Sequence, residues 1–216
     1  MINHAASDER AEESNGRMTT KLRMSEKEFV EWCGTEEGVR AEWVDGEVIV
    51  MAPANWEHVD QNGWLCAVFR LFVESRDVGI VLGPDFTARF ASRRSRRVPD
   101  LMFVSNARAK LIKQNHIEGA PDLIVEIVSP DSESRDRREK YFDYESAGVR
   151  EYWIVDPLSK TVELYSLGRD GAYKQLNEID GKLNSKVLKG LYLRPKWLWQ
   201  SPLPKLAKVT KELRIR

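Results

Sequence analysis

The stretch that most constrains this chain is Pro121-Asp-Leu-Ile-Val-Glu-Ile-Val-Ser129, which runs on through Lys140 to Tyr152-Trp-Ile-Val-Asp156. A short apolar run bounded by turn residues reads as a buried strand. This one carries a carboxylate, Glu126, in its middle. An ionised carboxylate loses much solvation free energy on burial, so Glu126 needs a partner inside the fold. A charged segment containing Lys140 follows, and upstream a second strand-like run, Val98-Pro-Asp-Leu-Met-Phe-Val104, carries Asp100 near its start. Two acids and a lysine brought together point to a metal site.

The surrounding pattern alternates helices and strands. Ser25 and Glu28 have capping-box spacing at the head of a short helix, with Gly34 as its stop. Asp45-Gly46 between two strand-like arms predicts a hairpin over Arg40 to Met51. Asn55 is a candidate N-cap for an amphipathic helix from Trp56 to Arg76. Strand-like runs at 80–82 and 86–90 flank the turn Gly83-Pro-Asp85, and a basic loop, Ala91-Ser-Arg-Arg-Ser-Arg-Arg97, leads into Pro99-Asp100. Glu133 to Ala147 reads as a helix ended by Gly148, so residues 126 to 155 form a βαβ-like crossover. These elements predict an α/β domain built on one mixed β-sheet flanked by helices.

With 216 residues the chain suits one domain over 21–200, preceded by a disordered tail at 1–20 and followed by a basic C-terminal extension at 201–216. Lys plus Arg and Asp plus Glu number 34 each, so net charge points neither toward nucleic acid nor away from it. Cys33 and Cys66 lack metal-ligand spacing and suggest no disulfide, which sets a reducing, cytoplasmic expectation. No apolar run approaches the ~20 residues that span a bilayer, and the charged N-terminal stretch is no export signal, so no membrane partner is expected.

Strand pairing would bring Asp100 and Glu126 to one end of the sheet. Hard cations such as Mg²⁺, or Mn²⁺ in its place, take oxygen ligands and keep several waters, so two carboxylates plus a phosphate oxygen suffice. Asp136, Lys140 and Tyr144 fall at i, i+4 and i+8, on one helical stripe, from which the Lys140 ammonium could steady the charge of a phosphoryl transition state. Arg93, Arg94, Arg96 and Arg97 precede Asp100 and could hold a phosphate backbone near the metal, although a charge run is more often a solvated loop. Taken alone, His58 is a capping or surface histidine, Glu42 a partner for Arg40 or Lys21, and Tyr144 a packing residue at the site rim.

Pro99-Asp100, Glu126-Ile-Val-Ser129, Asp136-Arg-Arg-Glu-Lys140, Tyr144 and Gly148-Val-Arg-Glu-Tyr-Trp-Ile-Val-Asp-Pro157 together resemble the Uma2 family, a restriction-endonuclease branch of the PD-(D/E)XK nuclease superfamily. The likeness extends to Glu42-Trp-Val-Asp-Gly-Glu-Val-Ile-Val-Met51, His58 and Val187-Leu-Lys-Gly-Leu191, and so spans most of 24–193. It implies a restriction-endonuclease-like core and a Mg²⁺-dependent endonuclease that hydrolyses DNA phosphodiesters with metal-activated water and no organic cofactor. Asp100 and Glu126 would be the metal ligands and Lys140 the catalytic lysine, with Glu42 and His58 completing the metal or water site. Cutting both strands would call for a homodimer. One departure stands out: the superfamily's lysine usually follows the strand acid by two residues, where this chain has Val128. That departure, with the neutral net charge, leaves a non-catalytic nucleic-acid-binding or interaction module as the alternative.

Overall fold

A computed structural model describes residues 22–36, 38–129 and 135–215, with the side chains of 135 and 136 left out. The expected tail at 1–20, the strand break at 130–132 and the Asp136 side chain therefore lie outside the described residues.

Helix α1 (Glu26–Thr35) starts on the predicted capping box, with Ser25 and Glu28 bonded reciprocally, and runs one residue past Gly34. Strands β1 (Ala41–Val44) and β2 (Glu47–Val50) pair antiparallel. Their connection places Asp45 at φ 46° and Gly46 at φ 91°, the double left-handed turn that Asp-Gly favours. The Asn55 side chain accepts from the His58 amide and so caps α2 (Trp56–Glu74). Strands β3 (Gly79–Leu82), β4 (Thr87–Phe90), β5 (Ser95–Arg97), β6 (Leu101–Ser105), β7 (His116–Glu118) and β8 (Leu123–Ile127) follow. A single π-helical turn, Arg135–Glu139, runs into α3 (Lys140–Ala147), which ends on Gly148 at φ 85°. The remainder is β9 (Glu151–Asp156), β10 (Thr161–Leu167), β11 (Tyr173–Gln175), β12 (Leu183–Asn184), β13 (Tyr192–Leu193), α4 (Pro195–Leu198) and α5 (Leu206–Glu212).

The expected single mixed sheet is two large sheets. One has five strands in the order β2-β1-β5-β4-β7, the other six in the order β11-β10-β9-β8-β6-β3. The division falls at Gly83-Pro-Asp85, where Asp85 sits at φ 73° and β3 and β4 part into different sheets. The basic segment is likewise no loop: after a 3-10 turn at Ala91–Arg93, β5 lies between β1 and β4. The predicted crossover holds, since β8 and β9 pair parallel from Leu123↔Glu151 to Ile127↔Val155, with α3 between them in sequence.

Every residue of β8 and β9 is buried, so the centre of the six-stranded sheet is covered on both faces. Leu101, Phe103, Leu123, Val125, Trp153 and Val155 pack on one face against Leu65, Val68, Phe69 and Phe72 of α2. The alternate residues Met102, Val104, Ile124, Tyr152 and Ile154 face Ala88, Phe90 and Ile117 of the five-stranded sheet and Tyr144 of α3. Strand alternation therefore sends Glu126 into the layer between the two sheets. The segment expected as a basic extension folds back onto the domain: Val209 and Leu213 are buried in the α2-side core.

Candidate active site

Glu126 meets its partners in that layer. The Tyr144 hydroxyl donates to Oε1 at 2.6 Å, and Lys140 Nζ lies 2.9 Å from Oε2. Both partners come from one face of α3, since they are four residues apart in a regular α-helix. The predicted stripe is correct from Lys140 onward. Asp136, whose side chain lies outside the described residues, precedes it in the π-helical turn Arg135–Glu139. Burial and the charges of Glu126 and Glu42 push the Tyr144 hydroxyl well above its ordinary value, so it stays protonated and remains a donor. Val128, at the superfamily's usual lysine position, is buried in the apolar cluster between the sheets.

Asp100 immediately precedes β6, which pairs antiparallel with β8. Its Oδ2 accepts from the Ile127 amide at 2.7 Å, which fixes this carboxylate beside the one on Glu126. Its Oδ1 lies 3.0 Å from His58 Nε2, one turn into α2. Asp100, Glu126, Lys140 and His58 all line one cleft of ≈ 280 Å³, whose rim includes Asn55, Pro157 and Leu158.

Glu42 does not pair with Arg40. It is buried between Lys140, 3.5 Å away, and Arg97, whose Nη1 donates at 2.9 Å, and its Oε1 also accepts from the Val98 amide. Burial alone would raise its pKa, but the charges of Lys140 and Arg97 outweigh that and hold the carboxyl at about 2. Arg97 donates onward to Asp143 through Nε and Nη2, and the half-exposed Arg93 reaches the same carboxylate from outside. The Arg97 pKa is pushed up because Glu42 and Asp143 outweigh its burial, so the guanidinium is permanently charged.

Each of the four arginines of the basic segment faces an acid of the chain. Arg97 is completely buried and cannot reach a nucleic-acid backbone, Arg96 binds Glu26, and Arg94 pairs with Asp45 at the hairpin. Asp143 and Arg97 complete the site's inner half, and neither was legible as such. Asp143 follows Lys140 by three residues, on the same side of α3, which is the available sequence signal.

Six buried charged groups therefore meet here. Glu42, Asp100, Glu126 and Asp143 stand against Arg97 and Lys140 in number, a formal excess of two negative charges (four minus two), of which Arg93 at the surface offsets one. A carboxylate offers about four lone-pair positions, so Asp100 keeps acceptor capacity beyond its two hydrogen bonds. Among the described residues no three His, Cys, Asp or Glu converge as a ready-made cage. A pair of carboxylates lining a cleft could hold a hard cation that keeps most of its waters.

A buried parallel β8–β9 pair with Glu126 on β8, Asp100 at the head of the antiparallel neighbour β6, and Lys140 on the helix that connects the pair give a restriction-endonuclease-like α/β fold. Consistent with that, the chain superposes with TM-score 0.69 on the crystal structure of a "putative nuclease belonging to DUF820" from Anabaena variabilis ATCC 29413, at 20% identity, covering 82% of this chain and 97% of that one. The chain belongs to the Uma2 family, described as "Putative restriction endonuclease", whose model matches residues 26–194. It is also 25% identical over 158 residues to "Uncharacterized protein slr1290" of Synechocystis sp., covering 72% of this chain and 80% of that protein. Among the described residues no helix is long and apolar enough to cross a membrane.

Proposed function

We propose that this protein is a Mg²⁺-dependent endonuclease that hydrolyses DNA phosphodiester bonds. The observation that carries the reading is the convergence of Asp100, Glu126 and Lys140 on one cleft, with Lys140 Nζ 2.9 Å from Glu126. Asp100 and Glu126 would hold the cation, which, when bound, polarises the phosphate and lowers the pKa of a bound water. The chain's own residues do the rest. Lys140 holds a positive charge at the cleft wall, where negative charge develops as the phosphodiester is attacked. Tyr144 fixes the orientation of Glu126, and the Ile127 amide and His58 fix that of Asp100, the outer support that tunes metal-binding carboxylates. Glu42, anchored by Arg97, keeps the Lys140 ammonium in place rather than binding the metal itself.

The test is supercoiled-plasmid cleavage with Mg²⁺ or Mn²⁺ and with chelator. Cleavage that needs the metal and drops by at least about 10²-fold in Asp100→Asn is expected. Equal rates in the two proteins would overturn the assignment of Asp100. Metal-independent DNA binding with no cleavage on any substrate would favour a binding module.

A further inference from the structure

A second groove, of ≈ 670 Å³, opens beside the cleft and shares Arg40, Ala54 and His58 with it. That size is in the range, about 300–1,000 Å³, of sites that enclose small-molecule-sized groups. Its floor is the face of α2 that carries Val59, Gly63 and Ala67 at i, i+4 and i+8, and Val81 and Pro84 form the opposite wall.

Two features are unexplained by folding alone. Gly63 lies inside α2, where glycine is less favourable than alanine. Its backbone does not require glycine, because its φ lies outside the left-handed range, and a Cβ there would meet nothing within 4 Å. The missing side chain therefore relieves no clash; what it does is keep the groove floor low. The second feature is Arg40, on the wall between the two cavities. Its Nε faces Asp85 as an ion pair without hydrogen-bond alignment, and its buried Nη2 has no hydrogen-bond partner among the described residues. Buried charged donors are costly to leave unsatisfied. The planar guanidinium suits the paired oxygens of a phosphate, for which the exposed Asp85 is an exchangeable partner.

We propose that this groove seats the nucleotide adjoining the scissile bond of a DNA strand, with Arg40 on its phosphate and its sugar and base on the Gly63 floor. The proposal rests on the nuclease reading above and adds the path of the strand away from the cleft. Because no Phe, Tyr or Trp lines the groove and His58 is held by Asp100, the base rests mainly on apolar side chains, contacts that do not read its identity.

The test uses the full chain with Gly63→Leu, which fills the groove, and Arg40→Ala, which removes the phosphate contact. Leucine is a better helix former than glycine and meets open space, so Gly63→Leu should melt no lower than the parent. Binding of a fluorescein-labelled DNA strand and duplex is read by anisotropy in chelator, and plasmid cleavage with Mg²⁺ is read for kcat and KM. Both variants should bind about 10-fold more weakly and show KM raised about 10-fold, with little change in kcat. Wild-type binding and KM in both variants would overturn the groove. Weakened binding in a protein that never cleaves would sink the hydrolytic reading and leave the groove standing. No DNA binding and no cleavage with Mg²⁺ by the wild type would overturn both. A free deoxynucleoside monophosphate that binds as tightly as the labelled strand would make this a free-nucleotide site and overturn the strand assignment.

Discussion

Toward α2, strands β6, β8 and β9 present Leu101, Phe103, Val125, Ile127, Trp153 and Val155, and what meets them there is hydrocarbon and aromatic ring. Toward the five-stranded sheet, the same three strands and their flanks present Met102, Ile124 and Ile154 together with Glu126, which meets Lys140 and Tyr144, and Asp100, which meets His58 and the Ile127 amide; behind Lys140, Glu42 joins it to Arg97 and Asp143. The first face is stabilised by area removed from water, which is non-directional and tolerates exchange of similar shapes. The second adds to an apolar cluster a set of buried charges, each of which stabilises only while it keeps its partner, because desolvation is recovered by particular contacts. One sheet thus separates a purely apolar face from a face on which apolar packing and the buried charges share the layer.

The sharpest way to break that comparison is to damage each face once. Phe69→Ala on the apolar face should cost about 3–5 kcal/mol through a cavity. Arg97→Met on the charged face should cost a similar ~3–5 kcal/mol by stranding Glu42 and Asp143, although it adds hydrocarbon. Urea denaturation measures both. If Arg97→Met proves neutral, the charged face is merely decorative to stability and the contrast falls.

A smaller effect separates the faces by pH. Glu42 is held at about 2 against an ordinary 4.5. A depressed carboxyl contributes stability that is present above its unfolded value and is lost as pH falls through its folded value, here from 4.5 toward about 2. That contribution is about 3 kcal/mol, and it should vanish from the pH slope of Glu42→Gln while Phe69→Ala keeps the parental slope. Parallel acid profiles for parent and Glu42→Gln would show that Glu42 is not the charged anchor of Lys140.

The smallest effect concerns how Lys140 is delivered. Gly148 ends α3 in the left-handed conformation, where any Cβ is strained. Gly148→Ala should cost about 1 kcal/mol and leave cleavage nearly unchanged, because the strain falls at the far end of α3 from Lys140. A large loss of cleavage at unchanged melting temperature would mean that the C-terminal end of α3 sets the site more directly than its contacts imply.

The local features were legible because local chemistry dictates them. The Ser25–Glu28 capping box, the Asp45-Gly46 turn, the Asn55 cap and the Gly148 stop each follow from a hydrogen bond or a φ preference that a few neighbouring residues decide. The apolar run around Glu126 announced a buried strand with a captive acid, and its pairing with Lys140 emerged at 2.9 Å. The split into two sheets was not legible, since β3 and β4 are both ordinary strands and the choice of partner depends on distant segments. Nor was the strand formed by the arginine run: the same residues would be a solvated loop if β1 did not lie beside them.

By itself, then, the sequence determined that an acid would be buried in a strand, that a following helix would carry a lysine, and that Asp100 would stand at the start of another strand. Only the tertiary structure decided which charges answer which. It set Glu42 between Lys140 and Arg97, turned Arg97 from a surface cation into a buried one, and left Arg40 with a donor unmatched beside the Gly63 groove. The physical reason is range. Caps and turns are settled within a few residues, whereas a buried charge is settled by whatever the fold brings within about 3–4 Å of it, regardless of its distance along the chain.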